Sequence, residues 1–382
     1  MTENKKRILI FATTYIPFIG GAEVAIREIT KRIPDVDFDI VTVNLDGKRQ
    51  KQEVIDNTTV YRIGSGKFGK MLFPIRAYFL AAKLHRKHRY EAFWSMMASY
   101  AGFAGLFFSY RHPRTPFLLT LQEGDSKDEL RAKFQFVWFL FKKIFYRATH
   151  IQVISNYLAE FALSVRPGAP VTVIPNGVDV EWFSRDVLAE VSQIKRDFEK
   201  KEDDVWLVTT SRLVNKNAVR DIIVALESLP QNVQLLIVGD GPLRGNLESG
   251  AKEDGVDSRV MFVGEVSYEK VLPYLKASDI FVRPSLSEGF GNSFVEAMAA
   301  GLPVIATPVG GIVDFLEDGK TGLLCQPRDP EDVAQKVKML LENPALQESL
   351  VVNARSMVKE RYDWDLIAQR MQSEVFAGSM GL

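Results

Sequence analysis

A chain of 382 residues is too long for one ordinary hydrophobic core and suits two domains. With 46% hydrophobic and 25% charged residues it is globular rather than disordered, and its single cysteine, Cys325, excludes an internal disulfide framework and fits a reducing compartment. The formal charge is zero, yet 26 Lys and Arg stand against 15 Asp and Glu up to Pro175, and 22 against 33 from Asn176, so the first half suits an anionic partner.

The N-terminal Met-Thr-Glu-Asn-Lys-Lys-Arg lacks the apolar core of a signal peptide. It runs into Arg7–Tyr15, a continuous apolar run expected of a strand buried on both faces of a parallel sheet. Ile-Pro-Phe-Ile-Gly-Gly-Ala-Glu follows, then an amphipathic helix predicted to about Ile33. Gly20 and Gly21 let the backbone approach a ligand at a helix start, although a plain turn explains a lone glycine pair equally well. Asp35, Asp37 and Asp39 resemble a metal-binding Asp-x-Asp. They lie between that helix and a strand predicted at Phe38–Val43, so solvation of a loop and strand edge is expected, and no metal.

Lys67–Tyr90 carries seven Lys and Arg and no acid, interleaved with Phe68, Leu72, Phe73, Ile75, Tyr78, Phe79 and Leu80. Arg131–Arg147 repeats the theme with five basic residues, no acid and seven aromatics. This composition predicts docking on an anionic membrane surface; the plainer reading buries the aromatics and leaves the cations to solvate an outer face. No nucleic-acid motif accompanies the basic segments, so no nucleic-acid partner is expected. The uncharged run Ala92–Tyr110 holds Ser, Tyr and Gly without sustained aliphatic density, and is predicted as a buried strand and helix rather than a membrane span. Further strands are predicted at Pro116–Leu121, His150–Ile154 and Val171–Ile174, the last leading to the turn sequence Pro175-Asn-Gly-Val-Asp179, read as an interdomain hinge.

The strand–helix alternation restarts at Val205–Thr210. After it comes Ser211-Arg-Leu-Val-Asn-Lys-Asn217 and a helix predicted over Ala218–Leu229. Arg212 and Lys216, two cations four apart after a strand end, are placed to clamp a diphosphate. Gly239-Asp-Gly-Pro242, after the strand Gln234–Val238, does not complete a dinucleotide-binding glycine fingerprint. The densest motif spans Asp279–Thr307: strand Ile280–Arg283, a loop broken by Pro284, Gly289 and Gly291, a helix capped at Asn292 or Ser293 and ended by Gly301, and strand Val304–Thr307. A helix N-terminus behind a glycine loop presents free backbone N–H groups and partial positive charge to a phosphate. Glu288 in the loop and Glu296 one turn into the helix bracket it, where they can accept hydrogen bonds from sugar hydroxyls.

Glu288 and Glu296, with seven residues between them in Ser-Glu-Gly-Phe-Gly-Asn-Ser-Phe-Val-Glu-Ala-Met-Ala-Ala-Gly-Leu-Pro-Val-Ile-Ala, resemble the signature of the retaining glycosyltransferase family four. The resemblance implies the GT-B fold, an α/β architecture of two Rossmann-like domains facing across a cleft. It implies an acceptor-binding domain at 1–175, a nucleotide-sugar-binding domain at 176–361, and a helix at 362–382 that crosses back to the first. The implied reaction moves a sugar from a nucleoside diphosphate sugar to a glycan or lipid-linked acceptor in cell-surface polysaccharide or glycolipid synthesis, cytoplasmic and peripheral on the inner membrane face, with no cofactor or metal. In such enzymes Glu296 would hold the ribose, Glu288 a donor-sugar hydroxyl, and Gly20 and Gly21 would abut the donor phosphate or the acceptor. Arg212, Lys216 and the N–H groups at Gly291, Asn292 and Ser293 would receive the diphosphate. Relatives usually place a His after the strand Phe117–Leu121; here Gln122 stands there, followed by Glu123 and Asp125. Either Gln122 keeps the positioning role, or one of those acids takes it, or activity is lost and the chain is a membrane-associated sugar-nucleotide sensor or scaffold. An epimerase or phosphorylase on the same fold would need a carboxylate, His or cofactor-lysine set that cannot be placed here.

Overall fold

The apolar runs become strands because their residues are enclosed on both faces: Ile8, Leu9, Ile10 and Phe11 are fully buried, as are Leu207, Val208, Phe281 and Val282. The computed structural model describes residues 5–18, 20–125 and 127–380, and the chain divides into two units. The first comprises the residues up to Asn176 together with those from Trp364; the second runs Gly177–Asp363.

The first unit is built on eight strands: β1 (Lys6–Phe11), β2 (Val36–Asn44), β3 (Gln52–Ile55), β4 (Thr58–Ser65), β5 (Ala92–Met96), β6 (Phe117–Leu121), β7 (His150–Val153) and β8 (Val171–Val173). Their order is β3-β4-β2-β1-β5-β6-β7-β8, parallel throughout except for the β3–β4 hairpin. That hairpin turns at Asp56, a non-glycine residue at φ 53. The uncharged run resolves as β5 and the helix Tyr100–Arg111. The C-terminal segment, helical from Trp364 through Phe376, packs within this unit: Trp364, Ile367, Met371 and Phe376 join the core of Ile8, Ile10, Phe38 and Trp94, and the Phe376 ring lies 5.4 Å from Trp94.

The second unit has six parallel strands: β9 (Val205–Thr210), β10 (Val233–Val238), β11 (Val260–Gly264), β12 (Ile280–Arg283), β13 (Val304–Ala306) and β14 (Leu323–Leu324), in the order β11-β10-β9-β12-β13-β14. Each unit is therefore a doubly wound α/β sheet, and parallel strands of this kind direct ligands to their carboxyl ends. Among the described residues no helix is long and apolar enough to cross a membrane, and no group of three or more His, Cys, Asp or Glu could hold a metal ion.

The expected solvation of Asp35, Asp37 and Asp39 needs correction where β2 pairs with β1. Asp39 is not solvated: it is buried, accepts from the Tyr90 hydroxyl at 2.5 Å, and pairs with Arg7 at 3.4 Å, while Arg7 also holds Asp37 at 2.6 Å. Two alternating strand positions place both acids on the Arg7 side, so the Asp-x-Asp spacing serves an ion network.

Candidate functional site

Four loops gather at the carboxyl ends of the second sheet. The loop after β9 and the loop after β10 are joined by Ser211 N donating to Val238 O (3.0 Å) and Leu213 N donating to Asp240 O (3.0 Å). The β9 loop meets the β12 loop where Leu286 N donates to Lys216 O at 2.7 Å. The β12 loop meets the β13 loop where Gly311 N donates to Glu288 O at 3.1 Å. Gly310 (φ 56) sits so close to that carbonyl that a Cβ would lie 1.9 Å from Glu288 O, so only glycine fits.

The helix Asn292–Ala300 begins at the centre of these loops. Its N-cap is Gly291 at φ 104, where a Cβ would also meet the Phe294 ring at 2.6 Å; the glycine supplies no side-chain cap, and the helix ends at Gly301 in the left-handed region. The first backbone N–H groups of a helix have no intrahelical acceptor, and together with the helix dipole they suit an anionic ligand. Glu288 is half-buried beside it, and both of its hydrogen bonds fall on Oε1: from Arg283 Nη2 at 2.8 Å and from Ser285 Oγ at 3.1 Å. Glu296 is pushed up to about 7, chiefly by desolvation, with the Arg283 charge and a hydrogen bond from Tyr268 working the other way. Tyr268 is stacked on Trp182 at 5.7 Å.

Arg212 is exposed on the β9 loop, with no acidic partner among the described residues, and its carbonyl is held by the Asn217 amide at 2.6 Å. Lys216 is half-buried in the 3-10 turn Asn215–Asn217. The structure thus brings Arg212, Lys216, Glu288, Gly291, Asn292, Ser293 and Glu296 to the loops and helix that follow the carboxyl ends of β9 and β12. An anionic group at the helix N-terminus with hydroxyl-bearing groups beside it is what this arrangement can bind. Two participants escaped the sequence reading. Arg283 looks like a strand residue ahead of a proline, and Gly310 like an ordinary turn glycine; the only sequence signal for Arg283 was a charge at the end of an otherwise apolar strand.

The remaining expected residues belong to the first unit. Gly20 caps the helix Gly21–Lys31 in extended conformation (φ −144), again without a side-chain cap. Thr14 donates to Glu23 in the first turn of that helix, and the buried Arg62 pairs with Glu53 at 2.6 Å and donates to the Ile16 carbonyl. Gln122 follows β6, and its amide is engaged face to face with the amide of Asn176: Nε2 donates to Oδ1 at 2.9 Å and Asn176 Nδ2 donates back at 3.2 Å. Glu123 is buried, accepts from Ala98 N at 2.7 Å, and is pushed up to about 7 by desolvation against backbone hydrogen bonds. Its Oε2 is buried with no partner among the described residues.

The comparisons with known proteins bear on the family and the fold. Residues 190–357 match the family "Glycosyl transferases group 1" and residues 19–182 match "Glycosyltransferase Family 4". The chain is 27% identical to an uncharacterized glycosyltransferase of Methanocaldococcus jannaschii, over 94% of this chain and 96% of the other. Its fold is similar to that of sucrose-phosphate synthase from Thermosynechococcus elongatus (TM-score 0.85, 23% identity, 98% of this chain and 100% of that one). It is also similar to Anabaena HepE in complex with UDP-glucose (TM-score 0.79, 20% identity, 97% and 99%). The fold, the Glu288–Glu296 motif and the two family matches lead to one conclusion: this chain belongs to glycosyltransferase family four, the group 1 glycosyltransferases of GT-B fold.

Proposed function

We propose that the protein is a retaining glycosyltransferase that moves a sugar, a hexose in the simplest case, from a nucleoside diphosphate sugar to an acceptor hydroxyl without a metal ion. The observation that carries this reading is the glycine-capped N-terminus of the helix Asn292–Ala300, bracketed by Glu288 and Glu296 and flanked by Arg212, which has no acidic partner among the described residues. The diphosphate meets the N–H groups of Asn292 and Ser293 together with Arg212 and Lys216. Glu296 accepts from the ribose and Glu288 from the sugar. Charge builds on the diphosphate as the glycosidic bond breaks, so cations and N–H groups placed there act most strongly in the transition state. The leaving phosphate can take the acceptor proton on the face it departs from, which preserves anomeric configuration and needs no protein nucleophile. The UDP-glucose named for Anabaena HepE supports a nucleotide-sugar donor of this kind.

The acceptor, on this reading, is a glycan or lipid-linked molecule presented at the inner face of an anionic membrane. In the helices Gly66–Met71 and Phe73–His88, Phe68 (77% exposed), Met71, Ile75 and Phe79 (67%) face solvent among Lys67, Lys70, Arg76 and Lys83. Phe136 (89%) and Phe139 (61%) do the same beside Lys133, Lys142 and Lys143, with the Lys143 ammonium 5.9 Å from the Phe139 ring. The helix Tyr100–Arg111 packs against both Phe73–His88 and Trp138–Arg147, joining them in one layer. Lys133 pairs with Asp125 at 3.6 Å, but exposed aromatics among clustered cations of this kind fit anionic headgroups over acyl chains.

The test is a thermal-shift screen of nucleoside diphosphates followed by turnover with the stabilising donor. A ligand that binds only the folded state raises the melting temperature with its concentration. Arg212→Ala is expected to lower turnover more than donor affinity; unchanged turnover in that variant removes the diphosphate clamp from the account.

A further inference from the structure

β12 ends on Arg283, a guanidinium that is only 6% exposed. Burying a charge is costly unless its partners compensate, and an apolar residue in such a place is often as stable or more so. Arg283 nevertheless sits at a junction. Nη2 donates to Glu288 Oε1 at 2.8 Å, and Nη1 donates to Ser293 Oγ at 2.5 Å and to Thr210 O at 3.1 Å. Its guanidinium lies 4.2 Å from the centre of the Phe294 ring, and its Nε is buried with no partner among the described residues. One side chain therefore touches the β12 loop, the first turn of the helix Asn292–Ala300 and the end of β9.

We propose that Arg283 is a positioning residue of the donor site, tying Glu288, the helix N-terminus and Glu296 into one electrostatic unit. This rests on the nucleotide-sugar reading of that site. By occupying Oε1 of Glu288, Arg283 and Ser285 leave Oε2 for a ligand hydroxyl. By holding Ser293, Arg283 fixes the backbone turn whose N–H groups meet the diphosphate. By its charge it favours the ionised form of Glu296, the form that accepts from hydroxyls. The groups that act on Glu296 are Arg283 from β12 and Tyr268 from the turn after β11, so removing Arg283 leaves only the tyrosine hydroxyl to oppose desolvation.

Full-length wild type, Arg283→Lys and Arg283→Met are titrated with UDP, UDP-glucose, GDP and GDP-mannose from pH 6 to 9, with melting temperatures measured alongside. The wild type binds at least one pair. Arg283→Met is expected to bind that ligand about fivefold more weakly at pH 7, because a rise of about one unit from a Glu296 pKa of about 7 cuts the ionised fraction from about one half to about a tenth, and to recover most of that loss by pH 9. Arg283→Lys, which keeps the charge and loses the fork, falls between the two. Binding by Arg283→Met equal to wild type at pH 7 overturns the proposal. So does a deficit that is the same at every pH and accompanied by a lowered melting temperature, because that marks a merely structural residue. A wild type that binds none of the four ligands overturns the nucleotide-sugar reading itself, and the assignment of Arg283 with it.

Discussion

At the residue scale, Glu288 and Glu296 were legible because their spacing, glycines and following strand form one local pattern. Arg283 was not, since the partners that define it lie on β9, the β12 loop and the next helix, and only the fold assembles them. Glu296→Ala is expected to weaken nucleotide binding by about 1–3 kcal/mol, the scale for hydrogen bonds to a charged group, as calorimetry would show. Its raised pKa adds a direction: the carboxylate accepts hydroxyls only when ionised, so wild-type affinity should fall as pH drops below about 7. Gln122 is partly occupied by Asn176, and Glu123 is buried with one oxygen unpaired among the described residues. Turnover of Gln122→Ala and Glu123→Ala with a working donor divides the positioning role between them; full activity in Gln122→Ala with Glu123→Ala dead assigns it to the acid.

At the scale of elements, most strands of both sheets were readable from continuous apolar runs, though not the short β14, and the helix Asn292–Ala300 from its glycine brackets. The β3–β4 hairpin was missed: both strands alternate without strong apolar density, and the Asp56-Asn57 turn was the only signal. The histidines were also unreadable as a group. His85 lies in the helix Phe73–His88 and His112 follows the helix Tyr100–Arg111, yet their rings meet at 4.5 Å, packed with Phe108 and Tyr90. Burial holds both below the usual histidine range, and for His85 the neighbouring His112 adds to the effect. The unfolded chain therefore takes up protons first as pH falls. This contribution to stability is complete above the ordinary histidine pKa, near 6.5, and is lost below it. Urea midpoints should drop between pH 7.5 and 5, and His85→Phe should flatten that drop; an equal drop in the variant would rule out the pair as its source.

At the scale of the whole molecule, the charge division between the halves was plain in the sequence, but whether the aromatics of Lys67–Tyr90 and Arg131–Arg147 were core or surface was not. Helical spacing alone does not say which face a layer covers. The structure divides them: Phe73, Phe141 and Phe145 are core, while Phe68, Phe79, Phe136 and Phe139 are exposed. Vesicle sedimentation should require anionic lipid and fall steeply with salt, each basic residue near the surface contributing about 1 kcal/mol. Phe68→Ser with Phe136→Ser should weaken it without altering nucleotide binding; equal sedimentation with neutral vesicles would remove the electrostatic part of the docking. The central claim, a nucleotide-sugar site built around the Asn292 helix, is tested most directly by calorimetric titration of wild type and Glu296→Ala with nucleoside diphosphates. The account predicts saturable binding of one diphosphate to the wild type and a marked weakening in the variant. Equal affinity in the two proteins, or no binding of any diphosphate to either, would contradict it.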